Sequence, residues 1–223
     1  MSYSTEEVFR TVEGVNGAAF SGIGCQVYFS SFSGPAAGSS NLYTWSLTSP
    51  ENDPELVGVI VNNGVRIGRA DGLAFSEGNL YLSAQSQTSS SAPAGLYLVD
   101  PSLNAELVIP YSDEIVGGIA SDSSSGIIYG LDDNNFEIVQ FDLDDMSIMT
   151  VASYPTVGGS VVVDIDGLAA GDGKLYLITD EPGNFYVYDL AQQQYVETIE
   201  SPFTNGETFS GAAYVTGSGL GEN

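Results

Sequence analysis

The chain of 223 residues contains no histidine. That absence removes the commonest general base, the Ser-His-Asp and Cys-His nucleophile systems, and histidine-bound zinc. Cys25 is the single cysteine, so neither an intrachain disulfide nor a thiolate metal cluster can form. At the head of the apolar run 25–29 it reads as a small buried thiol. Positive charge is nearly missing: Arg10, Arg66, Arg69 and Lys174 stand against 29 acids, for a net charge of −25. Such a surface repels phosphate backbones and anionic lipid heads, which argues against nucleic acid and membranes and favours divalent cations and cationic partners. Solubility alone also accounts for it. No apolar run reaches the ~18 residues of a helical membrane span. Residues 1–10 show no basic segment followed by an apolar one, the pattern of a secretory leader, and no Asn-x-Ser/Thr sequon occurs.

What the chain has in quantity is glycine, 27 residues, and tyrosine, 13. This mixture of turn formers and strand formers suits many short strands, and no stretch sustains a 3.6-residue period. A small-residue element recurs five times. It reads Asn-Gly-Ala-Ala-Phe at 16–20, Asp-Gly-Leu-Ala-Phe at 71–75, Gly-Gly-Ile-Ala-Ser at 117–121, Asp-Gly-Leu-Ala-Ala at 166–170 and Ser-Gly-Ala-Ala-Tyr at 210–214. Its glycines, Gly17, Gly72, Gly118, Gly167 and Gly211, are 55, 46, 49 and 44 residues apart, the period of a four-stranded propeller blade. Second strands are expected at 26–32, 79–85, 127–133 and 174–180, with Tyr28, Tyr81, Tyr129 and Tyr176 in one equivalent place. Third strands follow at 42–47, 96–100, 137–143 and 185–190, and fourth strands at 56–61, 106–110, 147–153 and 195–200. Asp100, Asp142 and Asp189 end third strands, where aspartate caps the following turn.

The expected fold is therefore an all-β propeller with four clear four-stranded blades and unpaired terminal strands, giving four or five blade positions. The first strand of each unit lies nearest the axis, where space admits Gly and Ala. The tyrosines fill the gaps between twisted sheets. One spare strand, 7–12, precedes the first unit, and one spare inner strand, 211–216, follows the last. These are expected to clasp the ring or to pair with a second copy. The domain is expected to span 1–216, with 217–223 as a flexible tail or engineered linker.

Residues 71–82, followed by 95–101, and again 166–177, resemble the blades of secreted bacterial β-propellers, and of the NHL-repeat and gluconolactonase (senescence-marker) propellers. The resemblance runs from about Gly14 to Val215. It implies a divalent metal, Ca²⁺ or Mg²⁺, in the axial channel, with Asn16, Asp71 and Asp166 matching in placement and Glu13 more weakly. The chain departs from the gluconolactonase pattern in having four units where six are usual, and in carrying Gly117 and Ser210 at the corresponding places.

Other candidates have plainer readings beside them. Asp-Gly and Asn-Gly are ordinary turn dipeptides. The acidic stretches 132–135, 144–145 and 179–181 read as solvated turns, since their spacing is not that of an EF-hand. The Ser/Gly-rich loops 30–40 and 83–93 tolerate insertion or serve binding. Trp45 reads as core. The leading functional expectation is a non-catalytic binding or scaffold propeller outside the cell, with a protein or glycan partner or self-association. The alternatives are a metal-dependent lactonase-type hydrolase and a structural subunit assembling through its terminal strands.

Overall fold

A computed structural model describes residues 14–32, 40–85, 92–122, 124–179, 183–200 and 211–215. No helix occurs among them, and the strands form four antiparallel four-stranded sheets arranged as propeller blades. Blade 1 is β1 (Gly14–Ser21), β2 (Gln26–Phe32), β3 (Ser40–Ser46) and β4 (Glu55–Val59). A short hairpin, β5 (Val61–Asn62) and β6 (Val65–Arg66), leads to blade 2: β7 (Arg69–Ser76), β8 (Asn79–Gln85), β9 (Gly95–Val99) and β10 (Ala105–Pro110). Blade 3 is β11 (Val116–Ser121), β12 (Ile128–Asp132), β13 (Glu137–Asp142) and β14 (Ser147–Ser153). A second hairpin, β15 (Thr156–Val157) and β16 (Ser160–Val161), precedes blade 4: β17 (Ile165–Gly171), β18 (Lys174–Thr179), β19 (Phe185–Asp189) and β20 (Gln194–Ile199).

The repeat has a register that explains it. Tyr28, Tyr81, Tyr129 and Tyr176 pair across the ladder with Ala19, Ala74, Ala120 and Ala169, the same place in every unit. Each tyrosine thus stands beside an alanine small enough to let its ring lean toward the next blade. Tyr28 packs on Phe75 at 5.0 Å between centroids, and Tyr176 stacks on Tyr214 at 5.5 Å. Apolar clusters fill the spaces between successive blades: Leu42 with Leu73 and Tyr97, Leu96 with Ile119 and Phe141, Leu131 with Leu168 and Tyr188. This two-sided burial explains near-continuous apolar runs where a one-sided sheet would alternate. Ser30 Oγ donates to Ala70 O at 3.0 Å, and the equivalent Ser83 Oγ donates to Val116 O at 2.6 Å, so two inter-blade seams carry a buried polar tie.

Ring closure is accounted for at the axis. A Cβ at Gly17 would lie 2.9 Å from the Gly72 backbone, one at Gly72 2.5 Å from Ile119 N, and one at Gly118 2.8 Å from Asp166 O. Gly211 completes the circuit, since its Cβ would meet the Gly17 backbone at 3.1 Å. The segment 211–215 therefore takes a fifth inner place between blades 4 and 1. It is not a strand, contrary to the expectation for 211–216. The expected strand 7–12, the tail 217–223, Glu13, Ser210 and most of the two Ser/Gly-rich loops lie outside the described residues.

One smaller expectation is corrected, and one feature is new. Cys25 is half-buried in the β1–β2 turn with φ of 49°, so it is a turn residue and not a core thiol. The stretches 60–68 and 155–164 form small hairpins, which the sequence pattern did not reveal. The tight Asn63-Gly64 turn, with φ of 50° and 80°, folds back strands only two residues long. Trp45 is core, as expected, with its ring nitrogen donating to Asn52 O at 3.1 Å. Asp100, Asp142 and Asp189 accept from the backbone of the turns that follow them, as expected.

Candidate functional site at the ends of the axis

At the start of each inner strand the ladder slips. The register shifts between Val15 and Gly17, between Ala70 and Gly72, and between Ile165 and Gly167. Asn16, Asp71 and Asp166 are thus the extra residues of three equivalent β-bulges. A bulge releases its residue from the alternation of the strand and re-aims the side chain. All three line one small cavity of ≈ 30 Å³ at this end of the axis, so the structure brings together the residues singled out from the sequence.

Unit 3 reaches the same place by another route. Its bulge falls at Gly117 and Gly118, between Val116 and Ile119. A Cβ on Gly117 would lie 2.9 Å from Asp133 Oδ2, so the missing side chain leaves the room that Asp133 occupies. The sequence pattern places Asp133 in a solvated turn. It lines the cavity instead, accepting a hydrogen bond from Tyr154 OH at 2.9 Å. Its neighbour Asp132 keeps the turn role, accepting from the Asn134 backbone at 3.0 Å. Arg69 and Gln85 complete the lining and were also missed. The signal for Arg69 was its place two residues before Asp71 on the same strand, one of four cations in the chain.

The electrostatics at this end are those of acids held away from water. Asp71 is 5% exposed, neither carboxylate oxygen has a satisfactory hydrogen bond, and its contact is the ion pair to Arg69 Nε. Burial pushes its carboxyl up to about 7, against the pull of Arg69 and with help from Asp133 and Asp166. Burial likewise raises Asp133 to about 7, opposed by the Tyr154 hydrogen bond. Such a cluster can take up a proton or a cation near neutral pH. Among the described residues, no three or more acids stand close enough to hold a metal as they are placed.

The middle of the axis is shut. Gly17, Gly72, Gly118 and Gly211, with Ile119 and Leu168, surround a space with no room for a water molecule, ≈ 0 Å³. Beyond it, at the other end of the inner strands, a separate cavity of ≈ 260 Å³ is lined by Ala18, Ala74, Ala120, Ala170 and Ala212, with Phe20, Phe75 and Tyr214. No sequence reading pointed to this cavity.

No family model matches the chain, and no curated protein matches it. Solved structures do, at the level of fold. The chain is similar to Myxococcus xanthus glutaminyl cyclase, with 21% identity, TM-score 0.62, and 93% of this chain and 83% of that one covered. It is similar to a chain of the nidogen/laminin complex, with 14% identity, TM-score 0.54, and 85% and 81% covered. A protein of unknown function from Bacteroides thetaiotaomicron gives 13% identity and TM-score 0.59 over 88% of this chain and 53% of that one. An enzyme and a component of a protein complex thus share the architecture, and the likeness establishes a β-propeller without choosing among functions.

Proposed function

We propose that this chain is a non-catalytic binding propeller that works outside the cell, and that its acidic axial mouth is a cation seat. Arg69 is the resident occupant and a divalent cation, Ca²⁺ or Mg²⁺, is the exogenous one. The observation that carries this reading is Asp71: 5% exposed, both oxygens without a satisfactory hydrogen bond, beside Asp133 and Asp166 around a cavity of ≈ 30 Å³. Hard oxygen donors from Asn16, Asp71, Asp133 and Asp166 suit these ions. Arg69 has a side chain 49% exposed, so its guanidinium can swing into water and let the carboxylates converge. The composition supports an extracellular setting, with four cationic side chains in 223 residues.

The test is a Ca²⁺ titration followed by thermal melting. A ligand that binds only the folded state raises stability by mass action. The melting temperature is expected to rise with millimolar Ca²⁺ in the wild type, to rise further in Arg69→Gln, and to rise less in Asp166→Asn. An equal rise in all three would mean general screening of the −25 charge and would remove the reading.

A further inference from the structure

We propose that the cavity at the other end of the axis is a binding site for a small organic cation with an apolar, ring-sized body. The proposal does not depend on the acidic mouth, from which the glycine waist separates it. At ≈ 260 Å³ the cavity exceeds the ~150 Å³ of an apolar hole that takes up benzene, and so has room for one ring and a short tail.

The space arises from the repeat itself. At the fifth position of the motif the five units carry Phe20, Phe75, Ser121, Ala170 and Tyr214, all of which line the cavity. Three are aromatic and two are small. The pocket therefore has aromatic walls on the sides of units 1, 2 and 5, and a gap on the sides of units 3 and 4 where rings of the same size would stand.

Charge and rim chemistry choose the occupant. Among the described residues that line the cavity, Glu77 is the charged one and none is a lysine or arginine. The polar side chains are turned toward the protein: Ser121 Oγ donates to Phe75 O, Ser21 Oγ to Ile23 O at 3.4 Å, and Tyr214 OH to Asp172 Oδ2 at 2.6 Å. What they leave for a ligand are oxygen acceptors and ring faces, which favour a donor or a cation. Ile23, at the rim, is 78% exposed, whereas the shorter β7–β8 and β17–β18 turns carry Glu77 and Asp172. An exposed isoleucine beside an aromatic-walled cavity suits an apolar body entering at this edge.

The test uses three probes of one shape and three charges: phenethylammonium, 2-phenylethanol and 3-phenylpropionate, titrated at equal ionic strength and followed by ligand-observed NMR. Saturable binding is expected, with the ammonium roughly three- to ten-fold tighter than the alcohol, and the carboxylate weakest. Glu77→Gln, at an exposed turn, should erase the preference for ammonium over alcohol and leave the alcohol unchanged. Ser121→Phe installs the ring that units 1 and 2 already accommodate and should abolish binding of all three. If that variant melts early, the Glu77→Gln arm decides alone. The proposal is overturned by no saturable binding, by a carboxylate that binds as well as the ammonium, or by a preference that survives Glu77→Gln. That last result would assign it to the overall charge. Binding that persists in a folded Ser121→Phe would place the ligand elsewhere.

Discussion

The two ends of the axis are made by the same inner strands, yet they have opposite chemistry. One end gathers Asp71, Asp133 and Asp166 around a space the size of a water molecule; the other gathers alanines and three aromatic rings around a space several times larger. Between them the second and fourth motif positions hold to Gly and Ala. The second position of the motif is glycine in all five units and the fourth is alanine, while the first and fifth positions vary. The invariant places are those where backbones touch and where the tyrosines lean. The first and fifth places face the acidic mouth and the larger cavity, and there the chain is free to specialise.

The strongest way to break this partition is at the waist. Gly72→Ala places a Cβ 2.5 Å from Ile119 N, against backbone that cannot rotate away. Overpacking of this kind costs about 1–3 kcal/mol or more, and each kcal/mol moves the melting temperature of a chain this size by about 2–4 °C. A fall on the order of 5–10 °C is expected. A variant as stable as wild type would show that the waist is open and the two ends communicate.

A smaller effect should come from pH at the acidic end alone. Asp71 and Asp133 hold their protons up to about 7 in the folded chain, whereas an unburied aspartate releases its proton near 3.8. Between these values the folded state binds more protons than the unfolded one. The stability from this source is complete below about 4 and is lost as pH rises through about 7. The melting temperature should therefore be higher at pH 5 than at pH 8. Asp71→Asn should flatten that dependence, and Arg69→Gln should steepen it by removing the charge that favours the carboxylate. A dependence unchanged in Asp71→Asn would assign it to the rest of the −25 charge.

The smallest effect is expected at the other end. Tyr214→Phe deletes the hydroxyl that Asp172 accepts, an exposed interaction, and keeps the ring on Tyr176. Loss of a solvent-exposed hydrogen bond of this kind should cost less than about 1 kcal/mol. Tyr214→Ala, which removes the ring as well, should cost clearly more by chemical denaturation. Equal costs would mean that this end is held by polar contacts and not by packing.

Much of the fold was legible because the blade repeat fixes strand order and spacing. The strands at 26–32, 79–85 and 147–153 fall on the expected bounds, and the four tyrosines fall on one register position. The hairpins at 61–66 and 156–161 were not legible, since strands of two residues carry no period. At the candidate site, Asn16, Asp71 and Asp166 could be found because they recur at one motif position. Asp133 could not, because it comes from a different strand and substitutes in space for a side chain that Gly117 lacks. The bulges that aim these residues leave no mark in composition. The alanine-lined cavity was hidden for a related reason: it is made by what Ser121 and Ala170 do not fill.

The contact between Gly211 and Gly17 joins residues nearly two hundred positions apart. A growing chain cannot make that contact until residue 211 has left the ribosome, whereas each blade consists of strands adjacent in sequence. The blades can fold one after another during synthesis, but blade 1 must wait with its inner strand uncovered on one side until segment 211–215 arrives. Closure of so long a loop is the slowest kind of contact to form. A chain shortened just before residue 211 should therefore build blades and still expose the groove beside Ala18, the surface through which an unfinished molecule would find other copies of itself.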